Sequence, residues 1–262
     1  MTHIVIIIIA LCNTMLLAWE ETNPVSAALG GCSAALSLGS RSLFSNPAWL
    51  CNDAGFEAAA SATNLFQMPS LNCGQASVQI PVWKISAGAG ATFLSADTLY
   101  REGRFITGAA FGMGRIHAGI SLSLCYRSFP GGYGTDYSAG GDAGALVRIT
   151  DKLFLSAAMA SREMVSPLYR GGICFVPDSG MRTVTEFEYQ YGFPFLLKFG
   201  QEFTFFKTLI IRAGLRSEPL TFSFGIGLFF QGARIDLSSI SHPDLGNTRS
   251  CGISYERQRP SD

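Results

Sequence analysis

The chain has 262 residues, an apolar fraction of 48% and a net charge of zero, from 19 basic and 19 acidic side chains. Balanced charge argues against a nucleic-acid-binding protein, which needs a basic surface. The charged fraction of 15% is also low, because soluble domains carry about 25% charged residues. The length suits one large all-β domain or two small domains.

The N-terminus is strongly apolar and reads THIVIIIIALCNTMLLAW. This stretch predicts a secretory signal peptide over residues 1–25, with its boundary between residues 18 and 27 and with Ala18 and Ala27 as candidate cleavage sites. An N-terminal membrane anchor is the alternative. No later stretch reaches about 18 uninterrupted apolar residues, so a helical membrane domain is not expected.

Residues 26–54 are rich in glycine and alanine and contain the turn Asn-Pro-Ala. The residue before a proline is disfavoured in the helical region, so we expect a short helix-prone segment that ends in a turn. Cys32 and Cys51 lie on either side of the motif SLFSNPAWL, residues 42–50, within this segment. They either pair in an oxidising compartment or act as small buried apolar residues, and we favour the second interpretation. The seven cysteines contain no CxxC spacing, so no metal site is predicted.

Beyond residue 70 the dominant period of the sequence is two, which indicates β-strands. In LTFSFGIGLFF, residues 220–230, large apolar side chains alternate with Thr, Ser and Gly. Residues 115–127, RIHAGISLSLCYR, follow the same pattern. Similar alternation is present at 76–83, 85–94, 104–113, 143–149, 152–162, 186–193, 195–205, 209–216, 233–238 and 251–256.

The residue types on the two faces predict which face meets lipid. One face carries mainly Gly, Ser, Ala and Thr, which suits a crowded interior, and the other carries large aliphatic and aromatic side chains, which suits lipid. The side chains that decide the question, and that we expect to point outward, are Phe222, Phe224, Leu228, Ile120 and Leu122. An open sheet edge is not viable in lipid, so the strands must close into a barrel.

The predicted fold is therefore an all-β, closed antiparallel transmembrane β-barrel over residues 55–258, followed by a polar tail at 259–262. We expect about twelve strands, within a range of 10–14, because bacterial barrels have even strand numbers. The Gly- and Pro-rich stretches 129–144 and 166–180 are predicted as long extracellular connections.

Nothing in the sequence points to catalysis, and we expect a protein that is not an enzyme and has no cofactor. The glycine pairs do not extend to a GxGxxG motif, and the three histidines form no cluster. Charged residues on the polar faces of neighbouring strands form either a polar conduit or a self-neutralising structural network, and we favour the network. They are Glu186, Glu188, Lys198, Glu202, Arg212, Arg216, Arg234 and Asp236.

Two sets of residues together resemble the FadL-like outer-membrane superfamily, including the PorV/PorQ-type barrels. The first set is a Gly/Ala-rich stretch that leads to Asn-Pro-Ala, and the second is an ordered series near the C-terminus. The first comprises Ala28, Leu29, Gly30, Gly31, Asn46, Pro47, Ala48 and Leu50. The second comprises Arg212, Gly214, Phe224, Gly225, Gly227, Asp236, Leu245 and Gly246.

This resemblance implies a location in the cell outer membrane of a Gram-negative bacterium. It also implies that residues 26–54 fold into the barrel as a hatch, in which Gly30, Gly31, Asn46, Pro47 and Ala48 take part. The alternative is a connector that lies across the periplasmic mouth. The chain is shorter than typical family members and ends in a polar tail rather than a terminal aromatic residue.

Three functions compete on this evidence. The first is a plugged barrel that passes hydrophobic small molecules across the outer membrane. The second is a non-transporting outer-membrane component of a secretion or surface-anchoring system, with a protein partner. The third is a soluble secreted β-protein, in which the apolar faces would point inward. Lipid is the partner expected for the first two, and nucleic acid is expected for none.

Overall fold

A computed structural model describes residues 22–51, 55–97, 99–129, 134–162 and 165–257. The predicted polar tail and the first 21 residues of the predicted signal peptide lie outside these ranges. Within the described ranges, none of the helices has the length and apolar character that a bilayer crossing requires.

The chain forms a closed barrel of fourteen antiparallel strands, which confirms the predicted fold class. Each strand pairs with the next one in sequence, and β1 closes the barrel by pairing with β14. The strands are β1 Phe56–Asn64, β2 Leu71–Val82, β3 Ile85–Ala96, β4 Tyr100–Met113, β5 Ile116–Phe129, β6 Gly134–Thr150, β7 Leu153–Arg162, β8 Val165–Asp178, β9 Met181–Gln190, β10 Leu196–Phe205, β11 Leu209–Arg216, β12 Thr221–Phe230, β13 Ala233–His242 and β14 Gly246–Arg257.

The expected number of about twelve strands was too low, because β1 was not predicted and β8 was assigned to a loop. Strand β1, with the sequence FEAAASATN, presents mainly alanine on its outer face. Strand β8 occupies most of the predicted loop 166–180. The other predicted loop, 129–144, also proved wrong, because β6 begins at Gly134 and continues the ladder with β5.

Strand β8 was missed because two adjacent glycines interrupt its apolar pattern. In the structure, side chains from other elements fill the space beside these glycines. A Cβ atom at Gly171 would lie 2.5 Å from the ring of Phe187, on the neighbouring strand β9. On the inner face, a Cβ atom at Gly172 would lie 2.8 Å from the Cβ of Ala35. Glycine in a strand often marks such a close approach, and this strand is held by its ladder with β7 and β9.

The apolar side chains point outward, as predicted. Ile120, Leu122 and Phe222 are 66%, 68% and 59% exposed in the isolated chain. Their neighbours in sequence, such as Ser121 and Ser123, are buried in the interior. A soluble protein does not expose an apolar band of this extent, so this orientation excludes the third hypothesis.

The two ends of the barrel differ in their connections. At one end, each even-numbered strand from β2 to β12 is joined to the next strand by a hairpin turn of two or three residues. Strand β1 begins at this same end. The connections at the opposite end are two to six residues long, and the longest includes the 3-10 helix Leu65–Gln67. Outer-membrane barrels keep their short turns in the periplasm. By this rule the end with the short turns faces the periplasm.

Candidate functional site

The described N-terminal residues 22–51, which we call the inner segment, lie against the inner wall of the barrel. Their short helix α1, Pro24–Ala28, contacts strands β11–β14. The 3-10 helices Gly39–Phe44 and Pro47–Cys51 contact strands β1–β4 and β3–β6. Every residue of the segment is buried except Ser37, Phe44 and Cys51, which are half-buried. The segment therefore lies in the lumen and contacts most of the strands around the inner wall.

Glycines on the inner face allow the backbone of the segment to approach the wall closely. A Cβ atom at any of eleven wall glycines would lie within 4 Å of an atom of the inner segment. They are Gly88, Gly90, Gly108, Gly112, Gly119, Gly144, Gly172, Gly200, Gly214, Gly225 and Gly252. The small residues that the sequence pattern assigned to a crowded interior thus make room for this segment.

We expect Gly119→Ala to loosen the inner segment. The new Cβ would lie 2.5 Å from the carbonyl carbon of Pro47 and 2.6 Å from the nitrogen of Ala48, and neither backbone atom can move independently. Overpacking of this kind costs about 1–3 kcal/mol. Tryptic cleavage after the buried Arg41 should then become roughly 5–150 times faster, because proteolysis follows the open population.

The matched control for this variant is Gly141→Ala on the adjacent strand β6. A Cβ atom there would meet only ordinary contacts, the nearest 3.5 Å away at the carbonyl oxygen of Ser121. Cleavage after Arg41 should stay at the wild-type rate in this control. Equal cleavage rates for the two variants would contradict the close approach of the segment to the wall.

The helix α1 ends at the pair Gly30 and Gly31, which were predicted from the resemblance. Both have positive φ, +70° and +80°, a region that favours glycine. The Gly31 N–H donates to the carbonyl of Ser26 over 2.9 Å and so caps the helix. The Gly30 N–H donates to the hydroxyl of Ser223 on β12, also over 2.9 Å. The pair therefore ends the helix and ties it to the wall.

Asn46 fixes the turn at the other predicted motif. Its side-chain oxygen accepts from the N–H of Ala48 over 3.1 Å, and its side-chain nitrogen donates to the carbonyl of Ala34 over 2.9 Å. The indole of Trp49 donates to the same Ala34 carbonyl over 2.8 Å. Pro47 and Ala48 form the start of the second 3-10 helix. The Asn-Pro-Ala turn is thus joined to the middle of the inner segment.

Glu186 on β9 joins the wall to three consecutive residues of the inner segment. Its Oε2 atom accepts from the consecutive N–H groups of Ser33, Ala34 and Ala35, at 2.9, 2.7 and 3.0 Å. Hydrogen bonds to a charged acceptor are about twice as strong as neutral ones. One carboxylate therefore satisfies three buried N–H donors in the irregular stretch that follows helix α1.

Lys198 links this contact to a first cluster of charges. Its Nζ atom lies 2.8 Å from Glu188, 3.5 Å from Glu186 and 3.2 Å from the carbonyl oxygen of Gly31. Arg170 on β8 extends the cluster, 3.2 Å from Glu188, and donates to the carbonyl of Ser45 over 3.4 Å. This cluster holds two separate stretches of the inner segment.

A second cluster centres on Arg212, which is fully buried. Its guanidinium lies 2.6 Å from Glu202 and 2.8 Å from Asp236. Arg234 lies 2.7 Å from Asp236, and Arg41 of the inner segment reaches the same carboxylate at 4.0 Å. Asp236 therefore pairs with arginines from two wall strands, β11 and β13, and lies close to a third arginine from the inner segment.

The eight charged residues predicted for the lumen do lie on the inner face, and seven of them join these two clusters. The eighth, Arg216, is half-buried at the extracellular end of β11. Sequence reasoning missed Arg170, Arg41 and the ion pair between Arg104 and Asp142, which measures 2.6 Å. Arg170 lay in a predicted loop, although alternation around it was a usable signal.

Cys32 and Cys51, which both belong to the inner segment, are free thiols. Cys32 packs in an apolar cluster with Leu29, Leu36 and Val184. Burial, together with the nearby Glu186 carboxylate, raises the pKa of the Cys32 thiol well above its ordinary value. This agrees with the favoured interpretation of a small buried apolar residue. Within the described ranges, no group of three or more His, Cys, Asp or Glu side chains is arranged to hold a metal ion.

Comparison with known proteins finds similarity at the level of structure. No protein-family model matches the sequence, and no curated protein matches it. The toluene transporter TodX of P. putida superposes with a TM-score of 0.70 at 14% identity, over 90% of this chain and 98% of TodX. Two TodX mutants described as monoaromatic hydrocarbon channels, deltaS2S3 and deltaS2, each give 0.71 at 14% identity, over 90% and 92% of this chain and 99% of theirs.

At this level of identity the likeness concerns the fold. It agrees with the motifs that resemble FadL-like proteins at both ends of the sequence, and with the apolar outer band that a membrane location requires. TodX is itself a FadL-family channel. The chain therefore has the fold of a FadL-like outer-membrane β-barrel.

Proposed function

We propose that this barrel passes small hydrophobic molecules across the outer membrane and that residues 26–54 act as its hatch. The observation that carries the proposal is the shared fold with a toluene transporter over 90% of the chain. The inner-segment contacts support the hatch, because Glu186 and Lys198 hold it through a few strong polar bonds. We infer no catalytic role, since the buried charges pair with one another and with backbone groups.

In this proposal the charged residues of the lumen are structural. They neutralise one another and anchor the hatch, so passage of a molecule requires the hatch to shift. The signal peptide is then cleaved nearer Ala18 than Ala27, because the carbonyl of Thr22 already accepts a hydrogen bond from Ser61 on β1 over 2.8 Å. N-terminal sequencing of the purified protein tests this point.

The proposal predicts that locking the hatch stops uptake. The hydroxyl oxygens of Ser40 in the hatch and Ser77 on β2 lie 2.9 Å apart, so the double variant Ser40→Cys, Ser77→Cys can form a disulfide with little movement. Gram-negative cells that express the full chain should take up labelled toluene at low concentration. The oxidised double variant should lose at least 90% of this uptake, and a reducing agent should restore it.

A matched control places a disulfide within the wall. The hydroxyls of Thr63 on β1 and Ser250 on β14 lie 2.8 Å apart, so Thr63→Cys, Ser250→Cys introduces a disulfide that leaves the hatch free. This control should keep wild-type uptake in both redox states. Full uptake through the locked Ser40, Ser77 variant would refute the hatch but leave transport standing, whereas no uptake by the wild type would refute transport.

The second candidate function is a non-transporting component of a secretion or surface-anchoring system, with a protein partner. The observation that favours it is the filled lumen, in which inward side chains such as Gln79, Ser121 and Thr248 are buried. Absence of uptake by the wild type, together with co-purification of a secreted protein in stoichiometric amounts from its native membrane, would support this candidate.

A further inference from the structure

The lipid-facing surface carries a polar row near the extracellular end of the barrel, in which Asn64 and Asn72 also donate to carbonyls of the β1–β2 connection. Ser239, Arg249, Asn64 and Asn72 occupy matching register positions on the adjacent strands β13, β14, β1 and β2. Their side chains share the outer face with the exposed residues Ile235 and Ile253 further along β13 and β14. Arg249 lies three positions from Gly246, where β14 begins at the extracellular end.

An apolar recess lies directly beside this row, on its periplasmic side. It has a volume of about 600 Å³ and opens to the outside of the barrel. The next register row consists of Leu237, Cys251, Ala62 and Gly74, and the small residues Ala62 and Cys251 line the recess together with Leu237. Large side chains border it on both sides, namely Phe93 on β3 and Phe224 and Ile226 on β12.

Arg249 is an exposed cation on this face. Among the residues that the structure describes, no carboxylate lies within 4.0 Å of its guanidinium. An arginine on the lipid-facing surface costs free energy unless it lies at headgroup depth and meets an anion. The guanidinium fork fits a phosphate group by two parallel hydrogen bonds. The amide groups of Asn64 and Asn72, which are 3.0 Å apart, stand next to it as further polar groups.

These two features define a site with a charged end and an apolar end. The charged end lies near the extracellular rim, where the headgroups of the outer leaflet are, and the apolar end points towards the bilayer centre. In a bacterial outer membrane, the anionic lipid of that leaflet is a phosphorylated glycolipid. We propose that the recess binds one acyl chain of such a glycolipid while Arg249 binds its phosphate. The site is on the opposite side of the wall from the inner segment, so the proposal does not depend on transport.

Native mass spectrometry of the full-length barrel, released from detergent micelles, tests the proposal. The probes are diphosphorylated lipid A, its dephosphorylated form and phosphatidylglycerol. The wild type should retain one diphosphorylated lipid A. Arg249→Gln should weaken this binding at least tenfold through loss of the phosphate contact, and Ala62→Leu should weaken it similarly by filling the recess.

Two matched controls separate the site from general effects. Arg101→Gln removes an exposed arginine from the same end of the barrel, at the start of β4 and away from the recess. Ala60→Leu enlarges an exposed side chain of β1 that does not line the recess. Both controls should bind within twofold of the wild type.

Several outcomes would overturn the proposal. Equal loss in Arg101→Gln and Arg249→Gln would show only general attraction to charge. Unchanged binding in Ala62→Leu would remove the acyl-chain site, and equal retention of the dephosphorylated lipid would remove the role of Arg249. Equal retention of phosphatidylglycerol would refute the assignment to a glycolipid.

Discussion

Hydrogen exchange at Ser33, Ala34 and Ala35 is expected to become about 30 times faster or more in Glu186→Gln. The wild-type carboxylate accepts from all three N–H groups and pairs with Lys198. The neutral amide of the variant keeps one oxygen that can accept hydrogen bonds, but it is a weaker acceptor than the carboxylate. Lys198 then has less negative charge near it. Loss of one partner from a buried ion pair costs about 3–5 kcal/mol, and the retained amide oxygen reduces this to about 2–3 kcal/mol.

Exchange rates report the free energy of local opening, at about 1.4 kcal/mol for each factor of ten. The matched control is Glu102→Gln, an inward carboxylate on β4 that binds Tyr100 over 2.6 Å and Arg127 over 3.6 Å. It should leave the three amides unchanged. If both variants accelerate exchange equally, or if neither does, the inner segment is not held by Glu186.

Asp236→Asn is expected to lower the thermal midpoint of the folded barrel in detergent by roughly 10 °C. Asp236 is completely buried and receives Arg212 and Arg234 at 2.8 and 2.7 Å, with Arg41 at 4.0 Å. Removal of its charge leaves these guanidinium groups short of a counter-charge in the interior. The cost is about 3–5 kcal/mol, and each kcal/mol shifts the midpoint of a chain of this size by about 2–4 °C.

The loss of heat-modifiable migration in gel electrophoresis measures this midpoint. Asp178→Asn, at the exposed turn between β8 and β9, is the control and should change the midpoint little. The double variant Asp236→Asn, Arg234→Gln should recover part of the loss, because it removes one of the uncompensated cations. A midpoint that is unchanged in Asp236→Asn, or that falls further in the double variant, would contradict the charge argument.

The alternation of residue types was enough to predict the barrel and the direction of its faces. A strand has a side-chain period of two, so LTFSFGIGLFF has only two orientations available. Large apolar residues such as Phe222 and Phe224 opposite Gly and Ser fit only one of them in lipid. The same parity put Glu186, Arg212 and Asp236 on one face, and this is where the structure has them.

The strand count and the partners of these charges could not be predicted in the same way. Strand β8 contains Gly171 and Gly172, which weaken a strand pattern when they are considered alone. Phe187 covers the first of them and Ala35 packs against the second, and these partners come from other parts of the chain. Likewise, nothing near Asp236 in sequence indicates that Arg41 approaches it across the lumen.

The sequence by itself determined an all-β barrel with an apolar outer surface, because the side-chain period and the cost of unpaired backbone groups in lipid are local physical constraints. Only the tertiary structure decided that there are fourteen strands and that residues 22–51 pack along the inner wall with Glu186 as their main anchor. The packing of the segment depends on contacts between residues more than a hundred positions apart, such as Ala34 with Glu186. Such contacts are made only when the closed wall brings its inner face around the segment.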